Sequence, residues 1–426
     1  MLGIFSMAPV RFPEGFLWGS ATAGHQIEGD NIHSSCYHKE IEKHCPEPSG
    51  KACNFLEKWP QDLAMLSDLK HQVFRMSIEW SRIEPEEGKH DLDALNYYLA
   101  VFEDLKKRNI KLCLTLHHFS HPQWFEKKGE FSRRENLDYF YRHAEYLIPK
   151  VAPYVDFWNI FNEFNNFDTM SLYDRKANML VAHAKVFSMI RSCSAAPVST
   201  AHAMTPYQPA RPDDPFDITM ARIKNWAVND FFYHAIRTGE ILFPYREGEH
   251  IDGLKDSCDF WSINYYTRHF VSARDAEGNA PRYKSHQIRP IDQQFYLEEF
   301  YPQGFVDGLC ALQDRPIYIT ENGFCCNDDR LRILYLARNL QALSEAIDRG
   351  CDIRGYLYWS LMDNYEWWSF IPRFGMVGVD FNTFERTPKN TAFFFREIIE
   401  RNGFDRDLVL KYLPEFKDWK IFPVNS

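Results

Sequence analysis

Short apolar runs alternate with longer amphipathic stretches along this chain of 426 residues. The apolar runs are rich in β-branched and aromatic residues, which favour buried strands, and they cover residues 16–21, 73–78, 112–117, 157–161, 198–201, 260–264, 317–320 and 355–359. The stretches between them repeat apolar residues at helical spacing, as at 55–69, 92–108, 136–151, 173–191 and 331–349. A strand followed by a helix, repeated eight times, is the pattern of a (β/α)₈ barrel. We therefore predict an α/β fold, a single (β/α)₈ TIM barrel domain over residues 1–426.

A doubly wound open sheet is the structural alternative to the barrel, because it also alternates strands and helices. The first apolar run is not followed by a Gly-x-Gly-x-x-Gly turn, which weakens that alternative. Residues 275–294 contain Gly, Pro and several charges, and they predict a long exposed loop before the seventh strand.

Two glutamates stand where predicted strands end. Glu321 follows the seventh apolar run and precedes Asn322-Gly323, a turn signal, and Glu163 follows the fourth run. Each could be a helix cap or an ion-pair partner. In a barrel, however, the carboxyl ends of all strands meet at one mouth, and strands four and seven stand nearly across from one another. Two facing carboxylates are what glycosidic bond cleavage requires, and their repulsion raises the pKa of the one that must carry a proton.

The composition of the chain indicates which kinds of molecule it can bind. Aromatic residues make up 16% of the chain, and aromatic rings stack on the apolar faces of sugars. A net charge of -10 argues against nucleic acid as the main partner, and no run approaches the roughly 20 apolar residues that cross a bilayer. Residues 1–10 lack the features of a signal peptide, so we predict a cytoplasmic chain without a membrane partner. The ten scattered cysteines then predict free thiols.

Seven ordered motifs resemble glycoside hydrolase family one, the β-glucosidases and their relatives. The motifs are FPEGFLWGSATA at 12–23, QIEG at 26–29, FRMSIEWSR at 74–82, FNE at 161–163, NYYT at 264–267, ITENG at 319–323 and YWSLMDNYEW at 358–367. The resemblance runs from about residue 12 to about residue 396. It implies a retaining β-glycosidase that acts on a small β-glycoside or oligosaccharide, without a cofactor or metal.

The resemblance also implies roles for individual residues. Glu163 matches the family's general acid/base and Glu321 its nucleophile. Arg75 and Tyr266 match the residues that hold the nucleophile, which suits a cation and a phenol donor beside a carboxylate. Arg75 could equally form a salt bridge at the barrel mouth without a catalytic part.

A further set matches the residues that bind the sugar ring, and it comprises Gln26, His118, Asn162, Glu366 and Trp367. Trp359 would form the stacking floor beneath the ring. Phe119 stands where the family often has Trp, which removes one N–H donor beside the sugar and relaxes the expected preference among glucoside, galactoside and fucoside. His117 could exchange roles with His118 by a shift of register, and both tryptophans could be core residues.

Two alternatives remain open at this stage. Relatives that act on 6-phosphorylated sugars use a Ser, Lys and Tyr set in the loop that here contains Glu366, and a carboxylate would repel a phosphate. Arg373 in the same loop could face an anion, so activity on 6-phosphorylated sugars stays an alternative. A silent, sugar-binding member of the fold is the other alternative, although both carboxylates are kept.

A cluster of cysteine and histidine residues follows the first predicted strand. It comprises Cys36, His38, His44, Cys45 and Cys53. The spacing fits no common zinc finger, so we predict no metal there. The sequence leaves the oligomeric state open, with a homo-oligomer among the alternatives.

Overall fold

Eight parallel strands close into a barrel, in which each strand pairs with the strands before and after it in the chain and the last pairs with the first. The structure, a computed structural model, describes residues 8–166, 172–274 and 299–416. The barrel strands are β1 (Leu17–Ala21), β2 (Val73–Ser77), β3 (Lys111–His117), β4 (Phe157–Asn162), β5 (Val198–Ala203), β6 (Trp261–Asn264), β7 (Ile317–Asn322) and β8 (Ile353–Trp359). The predicted barrel is therefore confirmed, and the open sheet is excluded by closure.

Helices surround the barrel. The main helix after each strand is, in order, α1 (Phe55–Asp68), α2 (Leu92–Lys107), α3 (Leu137–Val151), α4 (Tyr173–Arg191), α5 (Phe231–Thr238), α6 (Pro302–Cys310), α7 (Asp329–Asp348) and α8 (Asn390–Arg401). Further α-helices cover Gly24–Ile27, Ser35–Glu42, Trp80–Ile83, Gln123–Lys127, Pro215–Asn225 and Arg406–Tyr412, with a π-helical turn at Trp226–Asp230. Short 3₁₀ turns lie at Glu130–Ser132, Arg134–Asn136, Ala152–Tyr154 and Pro414–Phe416.

Four small two-stranded sheets lie outside the barrel among the described residues. They pair Val10–Arg11 with Gly403–Phe404, Tyr207–Pro209 with His269–Val271, Glu240–Ile241 with Glu249–His250, and Val377–Val379 with Arg386–Pro388. The first of these pairs the chain near its start with the chain just after α8 (Asn390–Arg401).

Helix α2 shows why these segments form amphipathic helices. Asp91 caps its first turn by accepting hydrogen bonds from the backbone N–H groups of Asp93 and Ala94. Its apolar residues recur every three or four positions and are buried, namely Leu95, Tyr98, Val101, Phe102 and Leu105. Burial of this stripe against the barrel holds the helix in place.

The seventh strand is longer than predicted. We expected it to stop before Glu321 and to turn at Asn322-Gly323, but β7 continues through both Glu321 and Asn322. Asn322 donates its side-chain N–H to the carbonyl of Tyr265 at 2.6 Å, so its amide is used inside the fold rather than in a turn. The register of β7 against β8 shifts between Ile319 and Asn322, which lets the strand extend.

Two further expectations concern the exposed loop predicted before the seventh strand and helices that could cross a membrane. The loop predicted at 275–294 lies outside the described residues. Within the described ranges, no helix combines the length and the apolar character that crossing a bilayer requires.

Candidate active site

The two glutamates singled out from the sequence both lie at the carboxyl ends of barrel strands. Glu163 directly follows β4, with a left-handed backbone (φ 44°), and its backbone N–H donates to the carbonyl of Ala201 on β5 at 2.8 Å. Glu321 lies within β7, in register with Asn264 on β6. Their exposed fractions are only 8% and 4%. Both carboxylates are thus held in the mouth of the barrel with little access to bulk water.

Glu321 is held by a cation and a phenol. Arg75 Nη1 donates to Glu321 Oε1, and the hydroxyl of Tyr266 donates to Glu321 Oε2 at 2.8 Å. Burial, and then the charge of Glu321, raise the pKa of Tyr266 well above its ordinary value, so the phenol remains a donor. These two donors hold the Glu321 carboxylate in one orientation, and a carboxylate held in this way can attack an electrophilic carbon.

Arg75 also connects the two halves of the site. It is fully buried, and its Nη2 donates to Asn162 Oδ1 at 2.6 Å while its Nε donates to Thr115 Oγ1 at 3.2 Å. Since Asn162 directly precedes Glu163, one guanidinium ties the strand end of Glu163 to Glu321. The salt bridge that we considered for Arg75 is present, and Glu321 is its partner.

Glu163 has different neighbours. The side-chain N–H groups of Asn264 and Asn166 donate to Glu163 Oε1 at 2.8 Å and Oε2 at 3.2 Å. Burial and then the charge of Glu321 raise the pKa of Glu163 to about 7, against the smaller lowering effects of Asn264 and Arg75. A carboxyl group that still carries its proton near neutral pH can donate that proton to a leaving oxygen.

Asn264 is a site residue that the sequence reasoning did not single out. Its Oδ1 accepts a hydrogen bond from Thr320 Oγ1 at 2.7 Å, which turns its NH₂ group toward Glu163. The same nitrogen lies 3.2 Å from Asn162 Oδ1. Asn264 ends β6, so its position at a strand end was the signal that could have found it.

His118, rather than His117, faces the site. His118 Nε2 lies 3.2 Å from the side-chain nitrogen of Asn162, and its Nδ1 is buried without a protein partner. Burial and then the charge of Arg75 hold the pKa of His118 well below its ordinary value, so the ring is neutral. His117 Nε2 instead lies 3.2 Å from His121 Nδ1, on the far side of the strand.

Aromatic rings form a wall around His118. Its ring is nearly parallel to Trp359 (centroids 6.0 Å apart) and to Trp367 (6.2 Å). Phe119 meets Trp367 edge-on, with ring centroids 5.2 Å apart. Such a wall offers flat apolar faces at the mouth where the carboxylates lie, as a sugar ring requires.

Gln26 and Glu366 are in direct contact. Gln26 Nε2 donates to Glu366 Oε2 and to the carbonyl of Tyr365, both at 3.0 Å. The other amide atom, Gln26 Oε1, is buried and has no protein partner. The pair therefore presents carbonyl and carboxylate oxygens to hydroxyl donors. Hydrogen bonds and ring contacts directly connect eight of the eleven residues that the sequence singled out for the site. Glu163 joins them through Asn264, whereas Gln26 and Glu366 contact each other, and Glu366 directly precedes Trp367 in the chain.

A glycine lets strands β7 and β8 come close beside the site. Gly323 directly follows β7, and a Cβ atom built there would lie 1.7 Å from the carbonyl oxygen of Trp359 at the end of β8. Because no side chain fits in that space, the backbone after Glu321 can pack directly on Trp359.

Two cations near the Glu366 loop, Arg373 and Lys389, are already engaged within the protein. The Arg373 guanidinium donates to the carbonyl of Phe370, lies 3.8 Å from Asp363 Oδ2 and stands over the ring of Phe381. Lys389 donates to both carboxylate oxygens of Asp363, at 2.9 and 2.8 Å.

The cysteine- and histidine-rich segment does not gather into a ligand set. In the part of the chain that the structure describes, no three His, Cys, Asp or Glu side chains converge as metal ligands would. Cys53 is buried and its thiol is directed at the carbonyl of Asp363, whereas the thiol of Cys45 lies near the carbonyls of Glu47 and Trp368. All ten cysteines are free.

Three comparisons with known proteins point to the same family. The profile of Glycosyl hydrolase family 1 matches residues 8–404. The chain is 30% identical to a 6-phospho-beta-galactosidase of Staphylococcus aureus, over 91% of this chain and 98% of that protein, and 30% identical to one of Streptococcus mutans, over 92% and 99%. Among solved structures, a beta-glycosidase from Pyrococcus horikoshii superposes with a TM-score of 0.86 at 33% identity, covering 95% of this chain and 98% of that one. A family 1 β-glucosidase from Thermotoga maritima superposes with a TM-score of 0.84 at 25% identity, covering 94% and 100%.

Proposed function

This chain belongs to glycosyl hydrolase family 1 and is a glycoside hydrolase, and we propose that it removes terminal, non-reducing β-D-glycosyl residues with retention of configuration. Glucosides are the first expected substrates. Galactosides and fucosides follow, because Phe119 has no N–H with which to select one hydroxyl arrangement.

The mechanism follows from the different surroundings of the two carboxylates. In the first step Glu321 Oε attacks the anomeric carbon, the bond to the leaving oxygen breaks, and Glu163 gives its proton to that oxygen. In the second step the ionised Glu163 takes a proton from water, whose oxygen displaces Glu321 and restores the β configuration. An alcohol or sugar in place of water gives transglycosylation.

One arrangement carries the proposal: Glu321 is held by two donors, whereas burial raises the pKa of Glu163 to about 7. The test is a panel of 4-nitrophenyl β-glucoside, galactoside, fucoside and xyloside, with NMR of the first sugar released. We expect the β anomer to appear first and Glu321→Ala to lose on the order of 10⁴-fold in kcat or more. An α anomer as first product, or unchanged turnover by Glu321→Ala, would contradict the mechanism. Absence of turnover on this panel and on the corresponding 6-phosphates would favour the silent, sugar-binding alternative.

Activity on 6-phosphorylated sugars is the second candidate, because the two relatives compared above at 30% identity are 6-phospho-beta-galactosidases. Two features favour plain sugars instead. Glu366 places a carboxylate in this loop, and Arg373 is engaged by Phe370 and Asp363. Comparing kcat/KM for 4-nitrophenyl β-glucoside and β-galactoside with that for their 6-phosphates decides between the two. We expect the plain substrates to be preferred.

A further inference from the structure

Residues 366–370, which we call the glycone loop, carry Glu366 and Trp367 into the barrel mouth. Its backbone is left-handed at two successive bulky residues, with φ of 38° at Trp367 and 83° at Trp368. Residues with a Cβ rarely adopt this conformation, and it persists only where the surrounding structure holds it. The loop therefore depends on contacts from outside itself.

The contacts that Gln26 makes, together with one hydrogen bond within the loop, fix the start of the loop at Glu366. Gln26 Nε2 donates to the carbonyl of Tyr365 and to Glu366 Oε2. The backbone N–H of Glu366 donates to the carbonyl of Ser369 at 2.9 Å, which closes the turn. Neither contact reaches the backbone carbonyl of Trp368 or the backbone N–H of Phe370.

A distant segment, residues 43–47, holds the second part of the loop, and we call this segment the brace. Glu47 Oε2 accepts hydrogen bonds from Ser369 Oγ and from the backbone N–H of Phe370, the latter at 3.0 Å. The Cys45 thiol lies 3.3 Å from the carbonyl oxygen of Trp368. The Lys43 ammonium stands 5.2 Å from the centre of the Trp368 ring. Three side chains of the brace thus hold three successive residues of the loop.

The same part of the chain supports Trp367 from behind. The buried ring of His25 lies nearly parallel to that of Trp367, with centroids 6.2 Å apart. His25 Nε2 lies 2.8 Å from Glu40 Oε1, and Glu40 Oε2 accepts from the backbone N–H of Ser49 at 2.8 Å. The chain on both sides of the brace is therefore anchored to the ring that backs Trp367.

We propose that Cys45 and Glu47 are positioning residues for sugar binding, which act by holding the glycone loop so that Glu366 and Trp367 face the substrate. This inference rests on the proposed function. The described contacts of Glu47 are with the loop and with its own neighbours, and the partners of Glu163 and Glu321 do not include it. Loss of the brace should therefore weaken sugar binding and leave the bond-breaking machinery in place.

The experiment compares Glu47→Ala with Glu42→Ala, an exposed glutamate on the same stretch of chain, as matched control. For Glu47→Ala we expect KM for 4-nitrophenyl β-glucoside and the calorimetric Kd of glucono-1,5-lactone to rise together, by about tenfold, because a charged acceptor is lost. The value of kcat should change by less than about twofold, and the alkaline limb of the pH profile should not move. Glu47→Gln keeps one acceptor oxygen and should recover part of the affinity. Glu42→Ala should behave as the wild type.

Two further variants test the contacts directly. Cys45→Ala should weaken lactone binding by about threefold and Cys45→Ser, which keeps a donor, should restore it. In a double-mutant cycle, Glu47→Ala should cost less affinity in a Ser369→Ala background than in the wild type, because one of its two partners is already gone.

Several results would overturn the proposal. They are an unchanged lactone Kd for both Glu47→Ala and Glu47→Gln, a loss confined to kcat, a shifted alkaline limb, or full additivity with Ser369→Ala. If Glu47→Ala does not fold, the same criteria apply to Glu47→Gln. Failure of the proposed function is seen separately, as absence of turnover by the wild type, and lactone binding then still tests the brace.

Discussion

Asn264 stands opposite Glu321 on the neighbouring parallel strand and donates a hydrogen bond to Glu163 at 2.8 Å. One residue at the end of β6 is thus hydrogen-bonded to Glu163 and paired in the sheet with Glu321. Its hydrogen bond favours the ionised form of Glu163, and so it opposes the burial that raises the pKa of that group. The hydrogen bond from Asn264 therefore limits the rise in the pKa of Glu163, which matters because the proposed second step uses Glu163 as a base.

Replacing Asn264 should change the pH profile in a defined direction. Asn264→Ala removes a donor to ionised Glu163, so the pKa of Glu163 should rise and the alkaline limb of kcat/KM should move to higher pH. The second step needs ionised Glu163, and kcat at pH 6 should fall about tenfold or more. The measurement is kcat and kcat/KM for 4-nitrophenyl β-glucoside from pH 4 to 9. A limb that moves to lower pH would contradict the assignment.

Glu163→Gln should separate substrates by their leaving groups. An activated leaving group such as 2,4-dinitrophenolate needs no proton, so its release should slow little in the first step. An alkyl glucoside needs the proton and should lose on the order of 10²–10⁴-fold in kcat/KM. Parallel kinetics on the two substrates check this. Equal losses on both would show that Glu163 is not the acid.

The same variant should gain stability in alkaline solution. The pKa of Glu163 is raised from an ordinary value of 4.5 to about 7 in the folded protein, because burial penalises its charge. Its stabilising contribution is therefore complete below about pH 4.5 and is lost as pH rises through about 7. Glu163→Gln cannot ionise, so it should equal the wild type near pH 4 and exceed it by about 3 kcal/mol at pH 8. Denaturant unfolding at both pH values measures this. A constant difference would contradict it.

Tyr266→Phe tests the hydroxyl that holds Glu321. Its removal leaves Glu321 Oε2 without the 2.8 Å donor and should lower kcat/KM by about 10- to 100-fold, with little change in thermal stability. Tyr265→Phe is the matched control, because that hydroxyl donates to the carbonyl of Tyr301, away from both carboxylates. Comparable losses of activity in the two variants would contradict the role of Tyr266.

The strands and helices of this fold follow from the spacing of apolar residues in the local sequence. All eight barrel strands overlap the predicted runs, and α4 covers the predicted 173–191, because buried strands and amphipathic helices leave periodic signatures in the chain. The predicted end of β7 was wrong, since Asn322 has a turn-forming side chain whose amide is engaged instead by Tyr265. That partner lies 57 residues away, and no local pattern reports it.

The contacts between side chains at the site could likewise not be predicted from local sequence. The choice between His117 and His118 depended on register, which only the pairing of β3 with its neighbours settles. Asn264 stood within a motif that was read from the sequence, but its contact with Glu163 spans 101 residues. The contact of Glu47 with Ser369 spans 322. Such contacts exist only once the barrel has closed.

Gly323 has a practical consequence for anyone who diversifies this cleft by mutagenesis. Any substitution there must push the backbone after Glu321 away from Trp359, so it would alter the spacing between the Glu321 carboxylate and the Trp359 ring without touching either side chain. A saturation library that includes codon 323 would therefore be dominated by inactive clones, and the surviving sequences would return glycine.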